Sequence, residues 1–115
     1  MKHIGDYAFR DCSSIDTLQI SEGVESNGQY SFYGCKKITE LVFPSTMLTI
    51  GNNSFNQCTV LAEVTFKSKP TKIASGAFSG CNNLVNINVP WAEGEVEYAP
   101  WGATNATINY NYTGG

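Results

Sequence analysis

Histidine is nearly missing from this 115-residue sequence, His3 being the single example. That leaves metal binding and acid–base catalysis without their commonest side chain. Charge is scarce as well, at 15 % of residues, well under the ~25 % of a typical soluble domain. Seven Lys and Arg against ten Asp and Glu leave a formal charge of −3. A chain so balanced has no basic surface for phosphate contacts, so nucleic acid is not expected as a partner. No apolar run approaches the ~18 residues of a membrane span, and no charged-then-apolar leader opens the chain. Closely spaced cysteine pairs of the C-x-x-C kind are absent too, which removes the usual structural zinc sites. What is present is a core's worth of apolar residues, 42 % hydrophobic and 12 % aromatic. The polar remainder is mostly uncharged: 10 Ser, 10 Thr and 11 Asn. The length suits one domain.

The four cysteines, Cys12, Cys35, Cys58 and Cys81, are spaced 23 apart. Other columns obey the same period without insertion. Phe9, Phe32, Phe55 and Phe78 precede the cysteines by three, and Ala8, Ser31, Ser54 and Ala77 precede the phenylalanines. Ile15, Ile38, Leu61 and Leu84 follow, then Leu18, Leu41, Val64 and Ile87, then Ile20, Phe43, Phe66 and Val89. Gly5, Gly28, Gly51 and Ala74 form a further column. The chain is therefore an internal repeat, and one unit cannot bury its own apolar face; stacking neighbours does. The period divides it into a half repeat (1–14), repeats 15–37, 38–60 and 61–83, and a last repeat with a degenerate cap (84–115). Carried forward, it puts Trp101 in the Phe column, Val96 with Ile4, Ile50 and Ile73, and Tyr110 and Tyr112 after Ile87 and Val89. Trp91 and Tyr98 have no core column, and are expected to pack over the solenoid end or to stand exposed.

Two periodicities alternate within a copy. Leu18-Gln19-Ile20 and Val64-Thr65-Phe66 alternate apolar and polar, as half-buried strands do. Ala8, Phe9, Cys12 and Ile15 recur at spacings of three and four, which predicts a short helix, with Asp6 and Asn52 placed to cap it. Strand, turn, short helix and return build an α/β solenoid with a parallel sheet along one side.

The wording of the repeat resembles a known family. Ile15-x-x-Leu18-x-Ile20, then Ile50-Gly51-x-x-Ser54-Phe55-x-x-Cys58, is similar to the leucine-rich repeats of the BspA-like (Treponema pallidum-type) bacterial surface proteins. The similarity runs from Ile4 to about Pro90, with departures at Asn27 (for Ile), Pro70 (for Val), and Ser21 and Lys67 (for Pro). It implies a leucine-rich-repeat solenoid with the sheet on a concave side, helices on a convex side, and partners bound on the concave face. It also implies a protein partner, adhesion as context, and a cell-surface or secreted location. A glycan is the other ligand class considered.

Chemistry offers little competition to that reading. A 23-residue spacing supplies no metal cluster, and stacked cysteines point alike, so buried free thiols are expected over a disulfide framework, although rung spacing alone permits pairing. Glu40 and Glu63 fall in one column about 5 Å apart, the separation of a retaining glycosidase pair, but a flat sheet rarely excludes water. No catalytic residue, cofactor or metal is assigned. The outward strand positions are the candidate binding strip: Thr17, Glu40, Glu63, Asn86 and Asn109 in one column, and Gln19, Val42, Thr65, Asn88 and Asn111 in the next. The three Asn-x-Ser/Thr triplets, at Asn52, Asn105 and Asn111, arise easily in so Asn-rich a chain. The first copy enters half way, so its strand is expected to be an uncovered edge. Such an edge suits a fragment of a longer array or a homodimer. The leading function is a non-catalytic recognition module; a structural spacer, a terminal cap and a phage-borne receptor-binding module are the alternatives.

Overall fold

The structure, a computed structural model, describes residues 2–12 and 14–113. Among them are nine short strands: β1 (His3–Ile4), β2 (Thr17–Gln19), β3 (Ser26–Asn27), β4 (Glu40–Phe43), β5 (Thr49–Ile50), β6 (Glu63–Phe66), β7 (Lys72–Ile73), β8 (Asn86–Asn88) and β9 (Thr107–Asn109). They form two all-parallel sheets, a four-stranded one in the order β1-β3-β5-β7 and a five-stranded one in the order β2-β4-β6-β8-β9. Each of the three full repeats contributes one strand to each sheet, and pairing follows the sequence period: Thr17 faces Glu40, Glu40 faces Glu63, and Glu63 faces Asn86.

The expected short helices are not there; no helix occurs among the described residues. The backbone shows why. In each of the first four rungs the segment before the cysteine carries left-handed residues: Tyr7 and Asp11, Tyr30 and Gly34, Asn53 and Gln57, then Gly80. A helix cannot propagate through residues of positive φ. Its N–H groups instead alternate between a local turn and the next rung. Ala8, Arg10 and Cys12 donate to carbonyls three residues back, whereas Tyr7, Phe9 and Asp11 donate to Gln29, Ser31 and Tyr33 one rung on. The inter-rung bonds recur down the stack, from Phe32 N to Ser54 O (2.8 Å), Phe55 N to Ala77 O (3.0 Å) and Phe78 N to Trp101 O (2.8 Å). The spacing of three and four was therefore a train of turns. Asp6 and Asn52 do not cap helices; their Oδ1 atoms accept the N–H groups of Gln29 and Gly76 in the following rung.

Rungs this close require small residues where backbones meet. A Cβ on Gly51 would lie 2.5 Å from the carbonyl carbon of Gly28, far inside van der Waals contact, which explains the glycine at that position. Inside, like side chains stack. The rings of Phe9, Phe32, Phe55 and Phe78 follow one another at 5.2, 5.1 and 5.5 Å, and Phe43 lies on Phe66 at 4.6 Å. The cysteines are free, with Cys35, Cys58 and Cys81 buried and Cys12 half-buried. Their thiols donate backwards: Cys35 to Phe9 O (3.1 Å), Cys58 to Phe32 O (3.3 Å) and Cys81 to Phe55 O (3.0 Å).

The two ends differ. At the C-terminal end Trp101 is fully buried, and Trp91 packs edge-on against both Phe66 (5.2 Å) and Trp101 (6.3 Å). Tyr98 is 57 % exposed. At the N-terminal end Phe9, Cys12, Ile15 and Leu18 are only half-buried, and a hollow of about 170 Å³ opens between Ile4, Phe9, Leu18, Val24 and Phe32.

The last turn breaks the period. Ile87 pairs with Ile108, not with Tyr110, so the final repeat of the strand column is 21 residues long. Trp101 still keeps the 23-residue step from Phe78, since Phe78 N bonds Trp101 O. The two missing residues therefore fall between Trp101 and β9. Tyr110 and Tyr112, expected after Ile87 and Val89 in core columns, are shifted by this step: Tyr110 is half-buried against the core and Tyr112 half-buried beyond β9.

Candidate functional site

Strand alternation in the five-stranded sheet turns Leu41, Val64 and Ile87 into the core and leaves their neighbours facing out. The first outward column reads Thr17, Glu40, Glu63, Asn86 and then Thr107. The second reads Gln19, Val42, Thr65, Asn88 and then Asn109. Two expected positions thus move. Asn109 stands beside Asn88, not beside Asn86, and Asn111 lies beyond β9 in a left-handed turn, its N–H on Trp91 O (2.8 Å). The 21-residue step causes both shifts. Thr107 enters the strip in their place, a residue that a strict count of 23 passes over.

The strip changes character along its length. Thr17, Gln19 and Glu40 are exposed, and their side chains make no hydrogen bond among the described residues. From Glu63 onward the side chains are tied together. Asn88 is the hub and only 2 % exposed, although it is on the outward face. Its Nδ2 donates to Glu63 Oε2 (3.0 Å) and Thr65 Oγ1 (3.1 Å), and its Oδ1 accepts from Asn109 Nδ2 (2.8 Å). The same Asn109 amide lies 3.4 Å from Asn86 Oδ1. A network satisfied this fully fixes its own rotamers, so the outward oxygens of Glu63 and Asn86 are held in place before any partner arrives.

Beside the second column runs a groove that sequence reasoning missed, a hollow of about 320 Å³ lined by Val42, Thr65, Lys67, Pro90, Tyr112 and Thr113. Val42 and Thr65 are paired neighbours on β4 and β6 and form its floor. The chain after β9 returns across it, anchored by Tyr112 N on Val89 O (2.8 Å). Lys67 stands where Pro44 and Pro90 stand in other copies, and that departure from the pattern was the one available signal. Its ammonium lies 3.8 Å from Glu22 Oε2. Glu22 is already served by Ser45, whose hydroxyl (2.6 Å) and N–H (3.0 Å) both donate to it. These bonds, with Lys67 a lesser cause, hold the Glu22 carboxyl below its ordinary pKa.

The other chemistry considered finds no support in position. Glu40 and Glu63 are paired neighbours on an open strand face, and Glu63 is committed to Asn88. Burial pushes the Cys35 thiol up to about 11 and Cys81 to about 12, and raises Cys58 further. His3 sits at the surface with Nδ1 2.6 Å from the Ser26 hydroxyl. No group of three or more His, Cys, Asp or Glu side chains able to hold a metal ion occurs among the described residues. Among the described residues no helix is long and apolar enough to cross a membrane.

Comparison with known proteins agrees with this architecture. No curated protein matches the sequence. A solved leucine-rich repeat protein of T. pallidum is similar in structure, with a TM-score of 0.68 at 22 % identity over 96 % of this chain. The match covers 63 % of that protein, so this chain spans less than two thirds of its length. The likeness shows the fold, a parallel-sheet leucine-rich-repeat solenoid. Repeats of this kind are generally non-catalytic scaffolds that mediate protein interaction, and no enzymatic family is indicated. The family model for the BspA type leucine rich repeat region matches residues 1–99 in six copies; the chain belongs to the BspA-type leucine-rich-repeat family.

Proposed function

We propose that this chain is a non-catalytic recognition module of a bacterial cell-surface or secreted protein, holding a protein partner against the outward face of its five-stranded sheet. The observation that carries the reading is the tied network at Glu63, Thr65, Asn86, Asn88 and Asn109. Polar side chains on a merely solvated face gain nothing from being locked, whereas a binding face gains because little rotamer entropy is lost on contact. Adhesion, through many modest contacts instead of one aromatic hot spot, is the matching context. The test is capture from host extracellular-matrix and cell-envelope extracts by the wild type and by two surface variants. Glu40→Gln with Asn86→Ala alters the proposed face; Thr49→Ala with Lys72→Ala alters the four-stranded sheet. Loss of the captured protein with the first pair alone supports the reading. Loss with the second pair alone overturns it.

The half-buried first turn favours a second reading. There the module is a spacer or cap stacked on a further repeat, or paired with a second copy of itself through β1 and β2. A solution mass fixed at the monomer value from dilute to concentrated protein would remove the self-pairing version.

A further inference from the structure

We propose that the open edge of β7 is a strand-addition site, taking one extended segment of a partner protein into the hollow between β7 and Glu95–Tyr98. The four-stranded sheet ends at β7, and one bonding pattern runs down it as far as that strand. Glu25 N and Ser26 N donate to Lys2 O, Leu48 N and Thr49 N to Glu25 O, and Thr71 N and Lys72 N to Leu48 O. In the neighbouring column Gly28 N donates to Ile4 O, Gly51 N to Asn27 O and Ala74 N to Ile50 O. One period later Gly94 N and Glu95 N would reach Thr71 O, and Glu97 N would reach Ile73 O. Neither bond forms. Glu95 N turns back to Ala92 O (3.2 Å), and Glu97 N has no backbone partner among the described residues. Val96 is still buried in the core column of Ile73, so the side chain keeps the period while the main chain leaves the ladder.

The groups left over select the occupant. Lys72 N and Ala74 N point at β5, so alternation turns Thr71 O, Ile73 N–H and Ile73 O the other way. Among the described residues none of the three has a hydrogen-bond partner. A carbonyl, and two residues on an N–H and a carbonyl together, match alternate residues of one extended backbone, parallel or antiparallel. An unpaired strand edge is the usual template for an added strand. The hollow supplies the room. It measures about 340 Å³, with Thr71 and β7 on one side and Glu95–Tyr98 on the other. That is space for a short extended segment, not for a folded element. A second copy of the chain fits less well, because its β1 would bring a whole first rung to the place where Glu95–Tyr98 stands. The site goes beyond the recognition reading and is independent of it. It lies on the other sheet and is made of main chain, so neither pair of substitutions in the capture test above removes it.

The experiment is a titration of the isotopically labelled full chain with acetyl-Lys-Val-Thr-Val-Lys-amide, followed by amide NMR shifts and hydrogen exchange. The same peptide N-methylated at every residue, with identical side chains and no main-chain donors along its length, is the comparison probe. The expected result is saturable shifts centred on Thr71, Ile73 and Glu97, with slowed exchange of the Ile73 N–H. The methylated peptide should bind roughly thirtyfold more weakly, the size of two main-chain hydrogen bonds. Lys72→Ala, a surface change, should bind the unmethylated peptide as the wild type does. No saturable shift, an Ile73 N–H that exchanges as fast with peptide as without it, or equal binding of the two peptides would each overturn the site. Protection of the Ile73 N–H that grows with protein concentration in peptide-free solution would assign the edge to a second copy, and would overturn it as well. If the edge fails while Glu40→Gln with Asn86→Ala still abolishes partner capture, the recognition face stands without it.

Discussion

Replacing Asn27 with isoleucine should stabilise the protein, and the structure sets the size of the effect. Asn27 occupies the column otherwise filled by Ile4, Ile50, Ile73 and Val96, and is 4 % exposed. Its Oδ1 accepts from Gly51 N (3.1 Å), but its Nδ2 is buried with no partner. An unsatisfied buried amide costs about 1–3 kcal/mol, and isoleucine removes that cost while adding apolar burial. The loss on the other side is small. Gly51 N also reaches Asn27 O at 3.0 Å, a backbone bond the variant keeps, so no donor is orphaned. Ile4 and Ile50 flank the site in adjacent rungs, paired with Asn27 through β1 and β5, so an isoleucine-sized side chain has precedent on both sides. The net gain should be about 1–2 kcal/mol, or about 0.5–1 M in the urea midpoint at the m-value of a small domain. Unfolding should be followed by far-ultraviolet circular dichroism for the sheets and by fluorescence of Trp91 and Trp101 for the distant end. Coincident curves establish that the stack unfolds as one unit. A midpoint unchanged or lowered, with coincident curves, would refute the reasoning, because the Asn27 amide must then be satisfied in solution.

Gly51→Ala should destabilise by about 3 kcal/mol or abolish folding, since the new methyl would meet the Gly28 backbone at 2.5 Å; a urea midpoint within error of wild type would contradict the close packing of rungs. Trp101→Ala should cost roughly 3–5 kcal/mol and expose Trp91, read as a red-shifted emission of the remaining tryptophan. A thiol reagent on the native protein should label Cys12 first and Cys35, Cys58 and Cys81 only on unfolding, because those three are buried; four equal rates would contradict the core. The same thiols make stability fall in alkali. Their folded pKa values are raised, to about 11 for Cys35 and about 12 for Cys81, so between their unfolded values and these the native state holds more protons than the unfolded one. Stability is then complete below about pH 8.5 and declines as pH rises through that window; a triple Cys→Ala variant should lose this alkaline slope.

The period made most of the fold legible. A column apolar in four copies states where a side chain sits without reference to any propensity, which is why Phe32, Phe55, Cys58, Leu61 and Val64 were placed in the core from sequence and are fully buried. The helical reading failed because apolar spacing of three and four reports only which residues point inward. It says nothing of the sign of φ, and tyrosine and glutamine at Tyr7, Tyr30 and Gln57 do not advertise a left-handed backbone as glycine would. The second sheet was missed for a related reason: strands of two residues, such as Lys72–Ile73, are too short to show alternation. On the outward face, Glu40, Glu63, Thr65, Asn86 and Asn88 lie in the columns expected of them, while the groove needed the true path of the chain after β9.

That path ties the candidate site to the repeat. A strict step of 23 would have set Asn109 opposite Asn86 and Asn111 opposite Asn88, continuing β8 as a plain ladder. The shortened last turn instead brings Asn109 to Asn88, where its amide also reaches Asn86. It also ends β9 early enough for Tyr112 and Thr113 to fold back over Val42 and Thr65. Lys67 faces that return only because its copy lacks the proline found at Pro44 and Pro90. The regular columns therefore build the sheet, and the position that breaks the pattern ties its outward side chains together. Restoring two residues between Trp101 and β9 tests this directly: the sheet should survive, Asn109 should leave Asn88, and the Asn88 side chain should become exposed. Side-chain amide protons of Asn88 as protected from solvent exchange in that insertion variant as in the wild type would show that the shortened turn plays no part in forming the network.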